Sequence, residues 1–435
     1  ISDSRGQQEI DAQIGLVKSS IAPFNPRVVL AEFITKQDAL VAANNVYGRP
    51  GVRWAHPDFA LSTEARTVQD PSEEPYFDKS WHLEKIEVKK AWQITQGNAQ
   101  TLVALIDLGI EQEHPDLKPA WYINRGEIPN NRRDDDGNGY TDDFSGWNFA
   151  INGNNLIYGM NAAHGTATAG VIGARADGQG TVGICPNCTI LPLVIDESPS
   201  NAAAALYYAY WAGADVISNS WGYEIGAPTT DILVEAIDDI SKNGRDGKGS
   251  TVVFAMDNRE RDNCRGREPD ISSLESVIAV SASDQNDQKI ASSGYGPCLE
   301  ILAPSASSAR NGIATTDRPG TKGYNQGADA GDFSDLGYTS TFYGTSAAAP
   351  QVAAAFALLY AANPNLSSIE AKQILLHSTD KISPDRANYD PKTGLSPLYG
   401  YGRLNIGRAL SMALKGPKKV LNSGTRRGQT TQEVY

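Results

Sequence analysis

From Trp81 onward the sequence consists of short, unbroken apolar runs separated by longer stretches with helical spacing, and this alternation restricts the fold more than any other feature. Leu102–Ile106, Thr189–Val194, Val216–Asn219, Thr251–Ala255 and Val277–Val280 read as strands, while His164–Gly173, Asn201–Ala212, Ile232–Asn243 and Ser346–Ala362 read as helices. Side chains of a strand point alternately to the two faces of its sheet, so a strand that is apolar at successive positions must be buried on both. The expected class is therefore α/β, with three layers and a mostly parallel central sheet between helices. Pro350 is tolerable near the start of the last helix, where N–H groups lack intrahelical partners. The longest Ala-rich runs, Ala202–Ala214 and Ala347–Ala362, fall short of the roughly 18–20 residues of a membrane span and read as buried helices.

The residues before Trp81 follow a different pattern. Arg27–Phe33 alternates like a strand, Lys36–Val46 is helix-like, and Gly51–His56 returns to strand pattern before Pro57, which makes residues 1–60 a small α+β unit. Leu61–Glu74 is polar and acidic, so 61–75 is expected to be an exposed linker where processing occurs. The main domain then covers 76–412, and 413–435 is a polar, mildly basic tail. Ile1 is not preceded by a basic-then-apolar leader; a signal peptide is expected to have been removed or left out, which says nothing about export.

In the 435 residues, hydrophobic side chains make up 40% and charged ones 20%, values of an ordinary globular chain that exclude a disordered one. The net charge of −13 argues against a nucleic-acid surface and suits a protein that binds cations. Cys185-Pro-Asn-Cys188 can be read as a redox motif, half a zinc site or a disulfide. A redox motif normally opens a helix, whereas Thr189–Ile195 reads as a strand, and Cys264 and Cys298 are not spaced as a second ligand pair. Structural disulfides Cys185–Cys188 and Cys264–Cys298 are the working expectation for an exported chain.

Three motifs lie at ends of these elements. Val103-Ala-Leu-Ile-Asp107 runs a strand into a carboxylate, Ala163-His164-Gly165-Thr166 opens a helix, and Tyr343-Gly344-Thr345-Ser346-Ala347-Ala348-Ala349-Pro350 sets a serine at a helix N-terminus. Each has an ordinary reading alone: turn former, structural histidine, N-cap. Together they supply a hydroxyl nucleophile, a base of near-neutral pKa and a group that orients the base. The order Asp, His, Ser and the sequences around the three residues resemble the subtilisin-like serine peptidases from about Tyr76 to Leu410.

The resemblance implies a subtilisin-like fold, a secreted or otherwise extracytoplasmic serine endopeptidase, and Ser346 as nucleophile, His164 as general base and then acid, and Asp107 as its orienting carboxylate. It also implies that Asn258 donates to the oxyanion, that Ser220-Trp221-Gly222 pairs with extended substrate, and that Ala255 and Asp257 lie at the substrate site. A peptide or protein substrate, no organic cofactor and a monomer are expected. Two positions depart from the family pattern. Leu108 replaces the usual hydroxyl residue after the catalytic Asp, and Asp257 replaces a Gly beside the oxyanion site. Asp257, with Asp262 and Asp270, could attract a basic substrate side chain. The same departures keep open a catalytically impaired binding homologue, and a peptide ligase would share the acyl-enzyme.

Asp134-Asp-Asp136-Gly-Asn138-Gly139-Tyr140-Thr-Asp142-Asp143 alternates oxygen-bearing residues around a glycine, a spacing that resembles an EF-hand-type loop for Ca2+. Asp134, Asp136 and Asn138 would give side-chain oxygens and Tyr140 its carbonyl. The closing acid expected at the end is replaced by Ser145, so Asp142 or Asp143 is expected to complete the shell. Arg27–Ala60 resembles the second half of the family's propeptide, with the first half only partly visible in Glu9–Ser19 and an upstream strand expected to be missing. By that resemblance the unit is an intramolecular inhibitor whose C-terminal residues occupy the substrate cleft.

Overall fold

The computed structural model describes residues 70–415 except 160, 225, 266–269 and 330; before residue 70 it describes 11–13, 15–22, 25–47, 49, 50, 52 and 55, and after residue 415 only 418, 419, 433 and 434. Two compact units divide at residue 67.

In the first unit, strands β1 (Leu16–Ala22) and β2 (Asn25–Phe33) pair antiparallel and lead into helix α1 (Lys36–Val46). The helix starts at Thr35 because its hydroxyl accepts the Asp38 N–H while the Asp38 carboxylate accepts the Thr35 N–H, each at 3.1 Å. Val46 and Val52 form its buried centre, with Leu16 and Ala31 packed against them. The strand expected at Gly51–His56 falls mostly outside the described residues, and Val52 and Ala55 lie in no strand.

The second unit holds a seven-stranded, all-parallel sheet in the order β4-β5-β3-β6-β7-β8-β9. Its strands are β3 (Leu102–Asp107), β4 (Trp147–Asn148), β5 (Thr189–Val194), β6 (Val216–Asn219), β7 (Thr251–Ala255), β8 (Val277–Ser283) and β9 (Ile301–Pro304). Alternation sends Val103 and Leu105 to one core and Leu102, Ala104 and Ile106 to another. Helices α2 (Ala162–Gly173), α5 (Thr345–Ala362), α6 (Ser368–His377) and α7 (Ile406–Lys415) cover the first face, and α3 (Pro199–Trp211) and α4 (Asp231–Gly247) the second. Three layers around a parallel sheet are thus present as expected.

Helix α5, at 18 residues, is longer than the Ala347–Ala362 run suggests, and by length and composition alone it could cross a membrane. Its residues from Ala347 to Tyr360 are all buried in the core of this unit. A hairpin of β10 (Ile313–Thr316) and β11 (Tyr338–Phe342), which the sequence reading did not contain, packs beside α2 through Thr315 and Thr316, whose hydroxyls donate to the Ala167 and Thr166 carbonyls at 2.7 Å each. Disulfides join Cys185 to Cys188 and Cys264 to Cys298.

The expected exposed linker requires correction at its end. Residues 61–69 lie outside the described residues, but Pro71 and Glu74 are buried in the second unit. The Glu74 carboxylate accepts the Gly178 N–H at 2.7 Å, and Tyr76 stacks on Phe333 with ring centroids 4.0 Å apart. These contacts supply the burial that a polar composition concealed.

Candidate active site

Parallel strands place their C-terminal ends on one edge, and the chain crosses from one side of β3 to the other between β5 and β6; such switch points are where open α/β sheets form their sites. Asp107 ends β3, Ser220 follows β6 and Ala255 ends β7. The loop after β3 and helix α2 then meet closely. A Cβ on Gly165 would lie 2.2 Å from the Gly109 carbonyl, so only glycine after His164 lets the helix approach. His164, in the first turn of α2, reaches Asp107 with Nδ1 2.8 Å from Oδ1 and 3.0 Å from Oδ2.

Asp107 is fully buried, and the Leu108 N–H donates to its Oδ1 at 2.7 Å. The lost side-chain hydroxyl at position 108 is therefore offset by the backbone of the same residue. Burial opposes the charged imidazolium of His164, but the attraction of the Asp107 carboxylate and its hydrogen bond prevail and raise the pKa above 6.5.

Ser346 occupies the first turn of α5, and a proline four residues on explains how it is held. In a regular helix the N–H of residue 350 would bond to the Ser346 carbonyl, but Pro350 has none. The Ser220 hydroxyl donates to that carbonyl instead, at 3.1 Å, while the Ser346 hydroxyl donates to the Ser220 carbonyl at 3.2 Å. The nucleophile candidate is hydrogen-bonded to Ser220 rather than to His164; the imidazole packs edge-on against Phe342, at the end of β11, with centroids 5.7 Å apart.

Asn258 is fixed by the same turn. Its Oδ1 accepts the Thr345 N–H at 2.8 Å, which leaves Nδ2 to donate elsewhere, and a Cβ on Gly344 (φ +82°) would lie 2.8 Å from that oxygen and 3.3 Å from Nδ2. The Trp221 ring packs on Phe254 at 5.2 Å and its Nε1 donates to Asn219 Oδ1 at 3.1 Å, whereas Gly222 borders open space. Asp257 sits between Arg259 at 2.9 Å and Arg261 at 2.8 Å, and Arg261 also meets Asp270 at 2.9 Å. Asp262 accepts the Cys264 N–H at 2.9 Å. The expectation that these three acids attract a basic substrate group is corrected, since the protein's own donors already engage them.

The acidic loop gathers most of its expected residues and adds one. Asp134 accepts from the backbone of Gly137, Asn138 and Gly139, and Asp136 from Asn138 and Asn124. Buried Asp143 accepts from Asn124, Asn138 and Tyr208 at 3.1, 2.8 and 2.5 Å. The Tyr140 ring anchors the loop edge-on against Trp147, Phe149 and Tyr208. Asp142 has another job: its carboxylate accepts the Asn131 and Arg132 N–H groups at 2.9 and 2.8 Å, which corrects its assignment as a ligand. Glu127, which precedes the loop and so lies outside the EF-hand spacing, joins the same cluster. Glu127, Asp134 and Asp136 each bring an oxygen within 4.8 Å of the others. Glu127 Oε2 is buried without a hydrogen-bond partner, and burial raises its pKa to about 6. Three carboxylates with one orphan oxygen fit a hard divalent cation.

A pair of buried acids was also missed. Asp116, its oxygens accepting the Tyr338 hydroxyl at 2.8 Å and the Thr181 N–H at 3.4 Å, is pushed by burial up to about 8, and Glu74 up to about 7. Asp177 adds like-charge repulsion to both.

The model of the Subtilase family matches residues 98–402. The chain is 31% identical over 405 residues to a "Calcium-dependent protease" of Nostoc sp., covering 86% of this chain and 55% of that protein. It is 29% identical over 344 residues to "Thermitase" of Thermoactinomyces vulgaris, covering 78% of this chain and 98% of the relative. A crystal structure of an Aeromonas sobria serine protease with its chaperone aligns with a TM-score of 0.66 at 18% identity, covering 81% of this chain and 70% of the other. The chain spans about half the length of the two calcium-dependent proteases it matches, 55% and 54%.

Proposed function

The chain belongs to the subtilase family, and from that premise we propose that it is an extracytoplasmic serine endopeptidase that cleaves peptide bonds through an acyl-enzyme on Ser346. The observation that carries the reading is the two-oxygen contact of Asp107 with His164 Nδ1, which leaves Nε2 as the base for a serine held at the start of α5. In the structure the Ser346 hydroxyl donates to the Ser220 carbonyl, so the reading requires that bond to be exchanged for one to the imidazole when substrate binds.

His164 then removes the hydroxyl proton while Oγ forms a bond to the scissile carbonyl carbon. The oxyanion takes hydrogen bonds from Asn258 Nδ2 and the unpaired Ser346 N–H at the helix start. As the C–N bond breaks, the imidazolium gives its proton to the leaving amine. Water, deprotonated by the same imidazole, then adds to the acyl carbon, the bond from that carbon to Oγ breaks, and the imidazolium returns a proton to Oγ as the acid leaves. Ser220, Trp221 and Gly222 offer backbone to extended substrate, with Ala255 and Asp257 at the adjoining wall. Support for catalysis over an impaired binding protein comes from the two departures, since Leu108 still donates to Asp107 and Asp257 is paired.

Glu127, Asp134, Asp136 and Asn138 would hold calcium, which supplies the charge neutralisation that lets the loop stay packed. Residues 1–60 act as the inhibitory propeptide of a self-processing monomer, and export is consistent with two disulfides. Incubation of the purified chain with calcium, followed by mass spectrometry of its N-termini, tests the proposal. Release of the N-terminal unit by wild type and not by Ser346→Ala is expected; equal processing in both removes Ser346 as the nucleophile.

A further inference from the structure

A cavity of about 560 Å³ opens beside His164, walled on one side by Leu108 and Asn161 and on the other by the connection between β10 and β11. Its charged lining, apart from the imidazole, is Arg318 and Lys322, with no carboxylate. This is notable in a chain with 51 acidic and 38 basic residues. Lys322 is exposed and has no ion-pair partner among the described residues. Arg318 is 9% exposed; its Nε lies 3.7 Å from Glu111, beyond hydrogen-bond reach, and is buried with no hydrogen-bond acceptor.

The wall is built rather than loose. Asp317 accepts the Arg318 and Asn325 N–H groups at 2.8 and 2.7 Å, and Asn325 Nδ2 donates to the Phe333 and Tyr338 carbonyls at 2.7 and 2.9 Å. The Tyr324 ring closes on Phe342, the residue that also packs on His164, at 5.7 Å. The cavity shares only His164 with the catalytic groups, and neither 220–222 nor 255–258 lines it. Residues 220–222 and 255–258 are assigned to the acyl side and none of them lines this cavity, so a pocket that among the catalytic groups touches only His164, the donor to the departing amine, is assigned to the leaving-group side.

Resting on the peptidase reading above, we propose that this cavity is a subsite for an acidic side chain just after the scissile bond, and that Lys322 and Arg318 are the residues that determine the preference. A carboxylate there meets one unpaired ammonium and the charge of one guanidinium, while a basic side chain meets two like charges.

The test compares peptides that differ only in Glu, Gln or Lys at the first and second positions after the cleaved bond. At one of these positions kcat/KM is expected to be about three- to tenfold higher for Glu than for Gln, lowest for Lys, and less selective in high salt. Lys322→Glu is expected to reverse the Glu and Lys order, read as the kcat/KM of each peptide relative to the Gln peptide on the same variant. Equal rates for Glu and Gln at both positions, or a Lys322→Glu effect shared by all three peptides, would overturn the subsite. Calorimetric affinities of the same peptides for Ser346→Ala separate the two readings. If no peptide is cut, the peptidase reading fails, and the affinities alone decide the subsite: tighter binding of Glu sustains it and equal binding ends it.

Discussion

Pro350 and Ser346 are coupled through a hydrogen bond that the helix cannot make. Pro350→Ala restores a donor for the Ser346 carbonyl and puts it in competition with the Ser220 hydroxyl. The expected outcome is a fall in kcat of up to about tenfold with little change in KM, while the melting temperature holds or rises because alanine suits a helix interior better. Steady-state kinetics and a thermal melt check both halves. His164 gives a second prediction at this scale. Its pKa is raised, and a base must be neutral to accept the serine proton, so kcat/KM is lost as pH falls through a midpoint above 6.5. The stability linked to the same group runs the other way: it is fully present below the unfolded pKa of about 6.5 and is lost as pH rises through the folded one. Asp107→Asn is expected to reduce kcat by up to about 10⁴-fold, through the wrong tautomer, and to abolish the raised midpoint. The proposed triad could be read from the sequence because three short motifs carry it in a fixed order. The Ser220 contact was not, since 126 positions separate the partners and only the fold joins them.

The acidic loop shows what spacing reports and what it hides. Side chains at alternate positions of a tight turn converge for local reasons, so Asp134, Asp136 and Asn138 could be read from the sequence. Glu127 arrives from an earlier segment through its bonds to the Asp135 and Asp136 N–H groups, at 2.7 and 3.3 Å, and no repeat marks it. Asp142 looks like a ligand by position but caps the turn at 131–132. Two substitutions separate these roles. Glu127→Gln is expected to weaken the calcium-dependent rise in melting temperature, whereas Asp142→Asn should lower the melting temperature with and without calcium by similar amounts, a cap being worth about 0.5–2 kcal/mol. Equal calcium responses in wild type and Glu127→Gln would remove Glu127 from the site. Strands β10 and β11 were missed for a related reason: their polar threonines bond to helix α2 and leave no apolar alternation to read.

Across the molecule, alternating apolar strands and helices specified a three-layer sheet, and burial on both faces of β3 to β9 follows from that pattern. What composition could not reveal is where acids are buried together. Asp116 and Glu74 have folded-state pKa values near 8 and 7, above those of free carboxyl groups, so the stability they contribute is complete below about pH 4 and is lost as pH rises through 7 to 8. Melts in a chelating buffer are expected to show a drop of several degrees from pH 6 to pH 9 that Asp116→Asn reduces; a flat profile in wild type would contradict the assignment. The account as a whole rests on one reactive oxygen. Treatment of the calcium-processed chain with a fluorophosphonate, followed by peptide mapping, measures it directly. One label per chain on Ser346, lost in Ser346→Ala and strongly slowed in His164→Ala, is the predicted result. A processed wild-type chain that stays unlabelled, or that carries the label on another residue, would contradict it.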